Sequence, residues 1–185
     1  MKKLIIVMAA IALAGVTQAA SFQWKNYSGQ AVYQAGTTTK LSGGTAYLFD
    51  SSVKSQAAVI EAVLGGTSIS SLGAIDSTSV TTSGTFAGAA FDYTTSAESV
   101  TAFFAIVSGD NVFISSTASA NVVDVGTETF TFKGLNTPSK AAAIEFTGTS
   151  SYTGAGWYTK AVPEPTSGLL MLIGLGALAL RRRKA

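Results

Sequence analysis

Apolar and polar residues alternate in several stretches of this 185-residue chain. Phe22 and Trp24 alternate with polar residues in SFQWKNY, and Phe130 and Phe132 do so in ETFTFKG. Successive side chains of a β-strand point to opposite faces, so a period of two predicts one buried face and one face in water. Both stretches are therefore predicted to be half-buried strands.

The stretch VTAFFAIV, residues 100–107, contains a single polar residue. Such a run predicts a central strand that is covered on both faces. The connector SGDN, residues 108–111, joins it to VFIS. A short Gly/Asp/Asn connector between two β-prone runs predicts a hairpin.

One stretch, SSVKSQAAVIEAVLGG, has the spacing of a helix instead. Its apolar residues recur every three or four positions, which predicts an amphipathic helix of about twelve residues. The stripe consists of Val53, Ala57, Ile60 and Leu64. Ser52 is predicted to cap the beginning of the helix, and Gly65 is predicted to end it in a left-handed turn.

The fold class predicted from these patterns is mainly β, an antiparallel β-sandwich-like domain with one short amphipathic helix packed on it. Residues 20–161 suit a single domain with one core. Residues 66–85 and 134–150 show no clear period and are predicted to be loops with brief strands. The chain has no cysteine, so this domain must be stabilised by packing without disulfides.

Residues 1–19 are predicted to be a signal peptide. Lys2 and Lys3 precede an apolar run, and Thr17 and Ala19 supply the small side chains required before a cut after Ala19. A cut after Ala20 is the alternative. The apolar run is shorter than the roughly 20 residues that a membrane helix needs. Signal peptidase and the export machinery are therefore expected partners.

The net charge of residues 20–162, the body of the protein, differs in sign from the net charge of the whole chain. The formal net charge of the chain is +2, but residues 20–162 carry six lysines and nine carboxylates, a net charge of −3. Nucleic-acid binding needs clustered Lys and Arg on one face. We therefore expect no nucleic-acid partner.

Residues 168–180 carry no charge and precede four cations, Arg181, Arg182, Arg183 and Lys184. As a helix this apolar segment reaches about 20 Å, against a hydrocarbon core of about 30 Å. It is a marginal membrane span whose cations can snorkel. A basic cluster keeps its end of a helix cytoplasmic, so the body is expected outside the membrane.

Val162, Pro163, Glu164 and Pro165 stand just before this apolar segment. Each proline fixes φ near −65° and removes an N–H donor, which favours a stiff, extended backbone. Such a segment can lie in the cleft of a processing enzyme. A plain linker that stops a helix is the alternative.

The order of these features resembles the PEP-CTERM sorting signal, whose proteins also carry an N-terminal signal peptide. The resemblance covers only residues 162–185 and implies that residues 162–165 are recognised by an exosortase, a membrane-embedded cysteine transpeptidase. It further implies that residues 168–180 are a transient membrane anchor and residues 181–184 a stop signal. The implied host is a Gram-negative bacterium with an extracellular polysaccharide matrix. A permanent C-terminal anchor is the alternative.

The chain has no histidine and no cysteine. This excludes Ser-His-Asp and Cys-His catalysis and the usual zinc and copper ligand sets. No cofactor or metal is predicted. A glycoside hydrolase would need two carboxylates about 5 to 9 Å apart in a cleft, and no spacing singles out such a pair. We expect the protein not to be an enzyme.

Trp24, Trp157 and Tyr158, with Tyr152, are candidates for a platform on which sugar rings stack, because flat amphipathic rings suit the apolar face of a sugar. Packing in the core is the alternative for large aromatic residues. Burial of both tryptophans would exclude the platform.

The sequence thus predicts an exported protein of the cell surface or extracellular matrix that is anchored briefly by its tail. The leading hypothesis is a non-enzymatic structural or adhesive component. A carbohydrate-binding module of the polysaccharide matrix is the first alternative, and a carboxylate-based glycoside hydrolase is the second.

Overall fold

A computed structural model describes residues 18–135 and 141–162. The described part of the chain is mainly β, as predicted, and its strands form two sheets. The predicted signal peptide lies outside the described residues except for Gln18 and Ala19, which begin the first strand. The predicted C-terminal apolar helix, residues 168–180, lies outside them entirely.

The smaller sheet has three strands, with β1 (Gln18–Asn26) between β4 (Phe91–Thr95) and β8 (Thr127–Phe132). β1 runs antiparallel to β4 and parallel to β8. The predicted alternation is confirmed in both β1 and β8. Phe22, Trp24, Phe130 and Phe132 are fully buried.

The larger sheet has seven strands. Its order is β3 (Asp76–Ser79), β2 (Thr45–Asp50), β5 (Ser99–Ser108), β6 (Asn111–Ile114), β10 (Gly156–Lys160) and β9 (Ile144–Phe146). β7 (Ala118–Asn121) pairs with the first half of β5. Neighbours are antiparallel except β9 and β10, which run parallel.

The prediction of antiparallel sheets is therefore wrong in part, because each sheet contains one parallel pair. Parallel strands need a connection that returns the chain to the same end of the sheet. Between β1 and β8 the chain builds the centre of the other sheet, and a loop with a short 3-10 helix, Thr149–Ser151, connects β9 to β10. Neither of these two connections has a local sequence pattern from which the parallel pairing could be predicted.

Two cores lie on the two faces of the larger sheet. The inter-sheet core fills the space between the sheets and contains Trp24, Phe104 and Trp157. The helix-side core lies under the helix and contains Phe103 and Tyr158. β5 is thus buried on both faces, and the predicted central strand is confirmed.

The hairpin predicted after β5 is confirmed. Ser108 pairs with Asn111 across a two-residue loop, and Gly109 takes a positive φ of 57° at its first position. That position of a type II′ turn requires a positive φ, which glycine adopts without steric cost.

The helix, α1 (Gln56–Leu64), exists but begins later than predicted. Ser55, not Ser52, is the N-cap, and its side chain accepts a hydrogen bond from the backbone N–H of Ala58. Asp50 holds Ser52 in a turn by accepting bonds from its N–H and its hydroxyl. Val53 therefore lies outside the helix and is 71% exposed.

The end of α1 is also shifted by one residue. Gly65 keeps a right-handed conformation, and Gly66 takes the positive φ, 96°. The N–H of Gly66 donates to the carbonyl of Val63, and the N–H of Thr67 donates to that of Ala62. This is a Schellman motif, which satisfies carbonyls that the helix leaves unpaired.

Candidate functional site at the end of the last strand

The last described strand, β10, is an interior strand of the larger sheet. It pairs with β6 on one side and β9 on the other, where Thr159 is opposite Asn111 and Lys160 opposite Phe146. After Lys160, only Ala161 and Val162 precede Pro163. A residue spans at most about 3.6 Å, so Pro163 can be no farther than about 11 Å from Lys160.

A groove of about 510 Å³ opens at this end of the sheet. We call it the exit groove, because the chain leaves the folded body along its wall. Its lining comes from the end of α1, the β5–β6 hairpin and the end of the chain, and includes Val63, Leu64, Val107, Asp110, Lys160 and Val162.

The walls of the exit groove are mostly apolar. Val63, Leu64 and Val107 are partly buried and pack against the helix-side core. Asp110 and Lys160 are exposed and place one charge of each sign at the groove. α1 ends at Leu64, and Val63 and Leu64 at its end line the groove. The groove offers an apolar binding surface.

The proposed sugar platform is not present at the predicted residues. Trp24, Trp157 and Tyr158 are all 0% exposed. Trp24 packs against Phe86 with their ring centroids 5.0 Å apart, and Tyr158 packs under α1 in the helix-side core. Trp157 and the adjacent Tyr158 face opposite sides of the larger sheet, and both sides are covered, so the prediction is wrong for these three residues.

The polar atoms of these buried aromatic rings bind acceptors inside the fold. The indole N–H of Trp157 donates to the backbone carbonyl of Tyr33 at 2.7 Å. The hydroxyl of Tyr158 donates to the backbone carbonyl of Gly154 at 2.6 Å. Tyr152 is half-buried and stacks on Tyr158. Burial, and then the neighbouring Tyr158, raise the pKa of Tyr152 to about 12.

Two carboxylates serve as structural acceptors. The indole N–H of Trp24 donates to Oδ2 of Asp76 at 2.5 Å. Gly88 leaves the necessary space, because a Cβ there would overlap the indole ring. This pair, 52 positions apart in the chain, ties the smaller sheet to the edge of the larger one. No local pattern in the sequence could have revealed it.

Asp50 forms the second structural link between the sheets. It is 6% exposed, and its Oδ2 accepts a hydrogen bond of 2.9 Å from the hydroxyl of Tyr93 on β4. Burial, then the hydrogen bond and the charge of Asp50, raise the pKa of Tyr93 to about 12. The turn sequence Asp50-Ser51-Ser52 is the one local signal that could have pointed to this residue.

Over residues 18–135 and 141–162, no group of three or more acidic side chains is placed to hold a metal ion. The two carboxylates with the clearest partners, Asp50 and Asp76, bind donors of the protein itself. The hydrogen bonds of each carboxylate therefore explain its presence by a structural role.

The segment that leaves the exit groove matches a known family model. Residues 161–184 match the PEP-CTERM protein-sorting motif. The chain carries a PEP-CTERM sorting motif. The match begins at the first residue after β10. Comparison with the curated proteins and with the solved structures finds no match.

The PEP-CTERM motif implies an exported, membrane-anchored precursor that an exosortase processes. Of the predicted motif residues the structure describes Val162, which is 72% exposed. Pro163, Glu164 and Pro165, the apolar segment 168–180 and the stop signal 181–184 lie outside the described residues. Within the described ranges, no helix has the length and apolar character to cross a membrane.

Proposed function

We propose that this protein is a non-enzymatic structural or adhesive component of the cell surface or extracellular matrix of a Gram-negative bacterium. The observation that carries the proposal is the PEP-CTERM motif, which begins directly after the last strand of a folded β body. The folded body is then the part delivered, and the tail is the part that directs it.

The polar surface of the smaller sheet supports a role in a hydrated matrix. On its outer side, Gln23 donates to Thr129 at 2.8 Å and Thr127 donates to Ser21 at 3.2 Å. Hydroxyl and amide groups on a sheet face bind water and can bind other polar polymers. The full burial of Trp24 and Trp157 removes the feature that favoured a carbohydrate-binding module.

The chemistry of the side chains supports a non-enzymatic role. The chain has neither histidine nor cysteine, which excludes the Ser-His-Asp and Cys-His schemes. Asp50, the one buried carboxylate within the described ranges, accepts three hydrogen bonds, two from Ser52 and one from Tyr93. A carboxylate held in this way is a structural group.

Intact mass spectrometry of the protein recovered from its native cell surface tests the proposal. We expect a mass that begins near Ala20 and lacks residues 168–185. A variant with Glu164→Ala and the rest of the chain unchanged should keep its tail and stay with the membrane fraction. A native mass that retains Arg181–Lys184 would make the tail a permanent anchor, which contradicts a role in the extracellular matrix and places the protein at the membrane surface.

A further inference from the structure

The last described strand fixes the point at which the chain leaves the folded body. β10 pairs with β6 as far as Thr159 and with β9 as far as Lys160, so the sheet holds the strand up to its last residue. Only Ala161 and Val162 separate it from Pro163. An enzyme that binds the motif must therefore approach to within about 11 Å of Lys160, and it will meet this end of the body.

The exit groove lies at that point of approach. Ala161 and Val162, which lead into the motif, form part of its lining. Its partly buried apolar residues, Val63, Leu64 and Val107, remain accessible because α1 ends beside them. Contacts with a partner are strongest where an apolar anchor fills a pocket inside a polar rim. Asp110 and Lys160 supply such a rim.

We propose that the exit groove is a docking site for the exosortase, which inserts an apolar side chain beside the peptide that it cleaves. This proposal rests on the proposed processing of the chain. The exosortase then recognises the folded body as well as the linear motif.

Two groove variants that leave the motif unchanged test the docking site. Leu64→Arg places a charge in the apolar wall, and Leu72→Arg is its control, since both leucines are partly buried against the helix-side core. Asp110→Lys reverses a charge at the rim, and Asp124→Lys is its control, since both aspartates are exposed. The readout is the rate at which the tail is removed in native cells, followed by intact mass.

We expect each groove variant to lower this rate about tenfold, equal to about 1.4 kcal/mol of binding, and each control to match the unchanged chain. Circular dichroism checks that the variants fold. If Leu64→Arg does not fold, Asp110→Lys in the exposed hairpin loop carries the test. Groove variants that are processed at the rate of their controls would overturn the docking site.

A linker insertion then measures the coupling between groove and motif. A flexible Gly/Ser linker of about ten residues, placed between Val162 and Pro163, separates the two surfaces. In this background the groove variants should no longer slow processing, because non-additivity is the sign of a shared binding surface. An effect of the same size with and without the linker would overturn the proposal.

The remaining outcomes separate the two proposals. Faster processing of the groove variants would mean that the groove holds the chain's own segment 163–167, and it would overturn docking of the enzyme. A tail that is never removed from the unchanged chain would overturn the proposed processing itself. Normal removal with unaffected groove variants would overturn the docking site alone.

Discussion

At the scale of single residues, the bond between Trp24 and Asp76 should contribute strongly to stability. Trp24 is 0% exposed and its indole N–H donates to Asp76. Asp76→Ala would leave this buried donor without its acceptor, which costs about 1–3 kcal/mol. We expect urea denaturation to show that loss, and we expect Asp92→Ala, on the exposed side of β4, to show little.

A double-mutant cycle identifies the cause. Trp24→Phe removes the donor, so Asp76→Ala should cost much less in that background than in the unchanged protein. An equal loss in both backgrounds would mean that Asp76 acts through another contact, such as the pairing of β3 with β2.

Tyr93 should make the stability fall at alkaline pH. Its pKa is about 12 in the folded protein, against an ordinary value of 10. The unfolded chain therefore releases the proton first, and the stabilisation present below pH 10 is lost as the pH rises through about 12. Tyr93→Phe has no proton to release, so its free energy of unfolding should fall less steeply over this range.

Urea titrations at a series of pH values measure this slope. Tyr27→Phe, which changes a half-exposed tyrosine, is the control and should keep the slope of the unchanged protein. A slope for Tyr93→Phe equal to that of the control would contradict the raised pKa.

At the scale of secondary-structure elements, the start of α1 gives the clearest prediction. Ser55 accepts a hydrogen bond from the N–H of Ala58, so Ser55→Ala should lower the free energy of unfolding by about 1 kcal/mol. Ser55→Asp should restore it, because aspartate also caps helices. Urea denaturation measures both. If Ser55→Ala is silent while Ser52→Ala destabilises the helix, the N-cap predicted from the sequence would be the right one.

The elements that could be predicted are those whose signal is local. Alternation revealed β1 and β8, an apolar run revealed β5, and a Gly/Asp/Asn connector revealed the hairpin, since each depends on neighbouring residues. The start of α1 was missed because two serines can cap equally well by type, and the side chain of Asp50 decided between them.

The elements that could not be predicted depend on contacts between distant parts of the chain. The parallel pairing of β1 with β8 joins Phe22 to Glu128, and β9 is only three residues long. The sorting motif was visible in the sequence because it is recognised as a linear peptide. The exit groove was invisible, because it brings together the end of α1, a hairpin and the end of β10.

At the scale of the whole molecule, the two cores should unfold together. Neighbouring residues of β5 face opposite cores, Phe104 the inter-sheet core and Phe103 the helix-side core. The smaller sheet or the helix cannot leave without exposing one face of this shared strand. Loss of the smaller sheet or of α1 therefore exposes large aromatic side chains of the larger sheet. We expect a single cooperative unfolding transition, as is usual for domains of this size.

Urea unfolding followed by two signals tests this cooperativity. Trp24 and Trp157 report on the inter-sheet core by fluorescence, and far-ultraviolet circular dichroism reports on the strands and α1. Coincident midpoints are expected, and they should stay coincident in Phe103→Ala, which removes a ring from the helix-side core only. A fluorescence transition that stays in place while the circular dichroism transition shifts would show that the layers unfold separately. In that case the inter-sheet core and the helix-side core would be separate folding units, although they share β5.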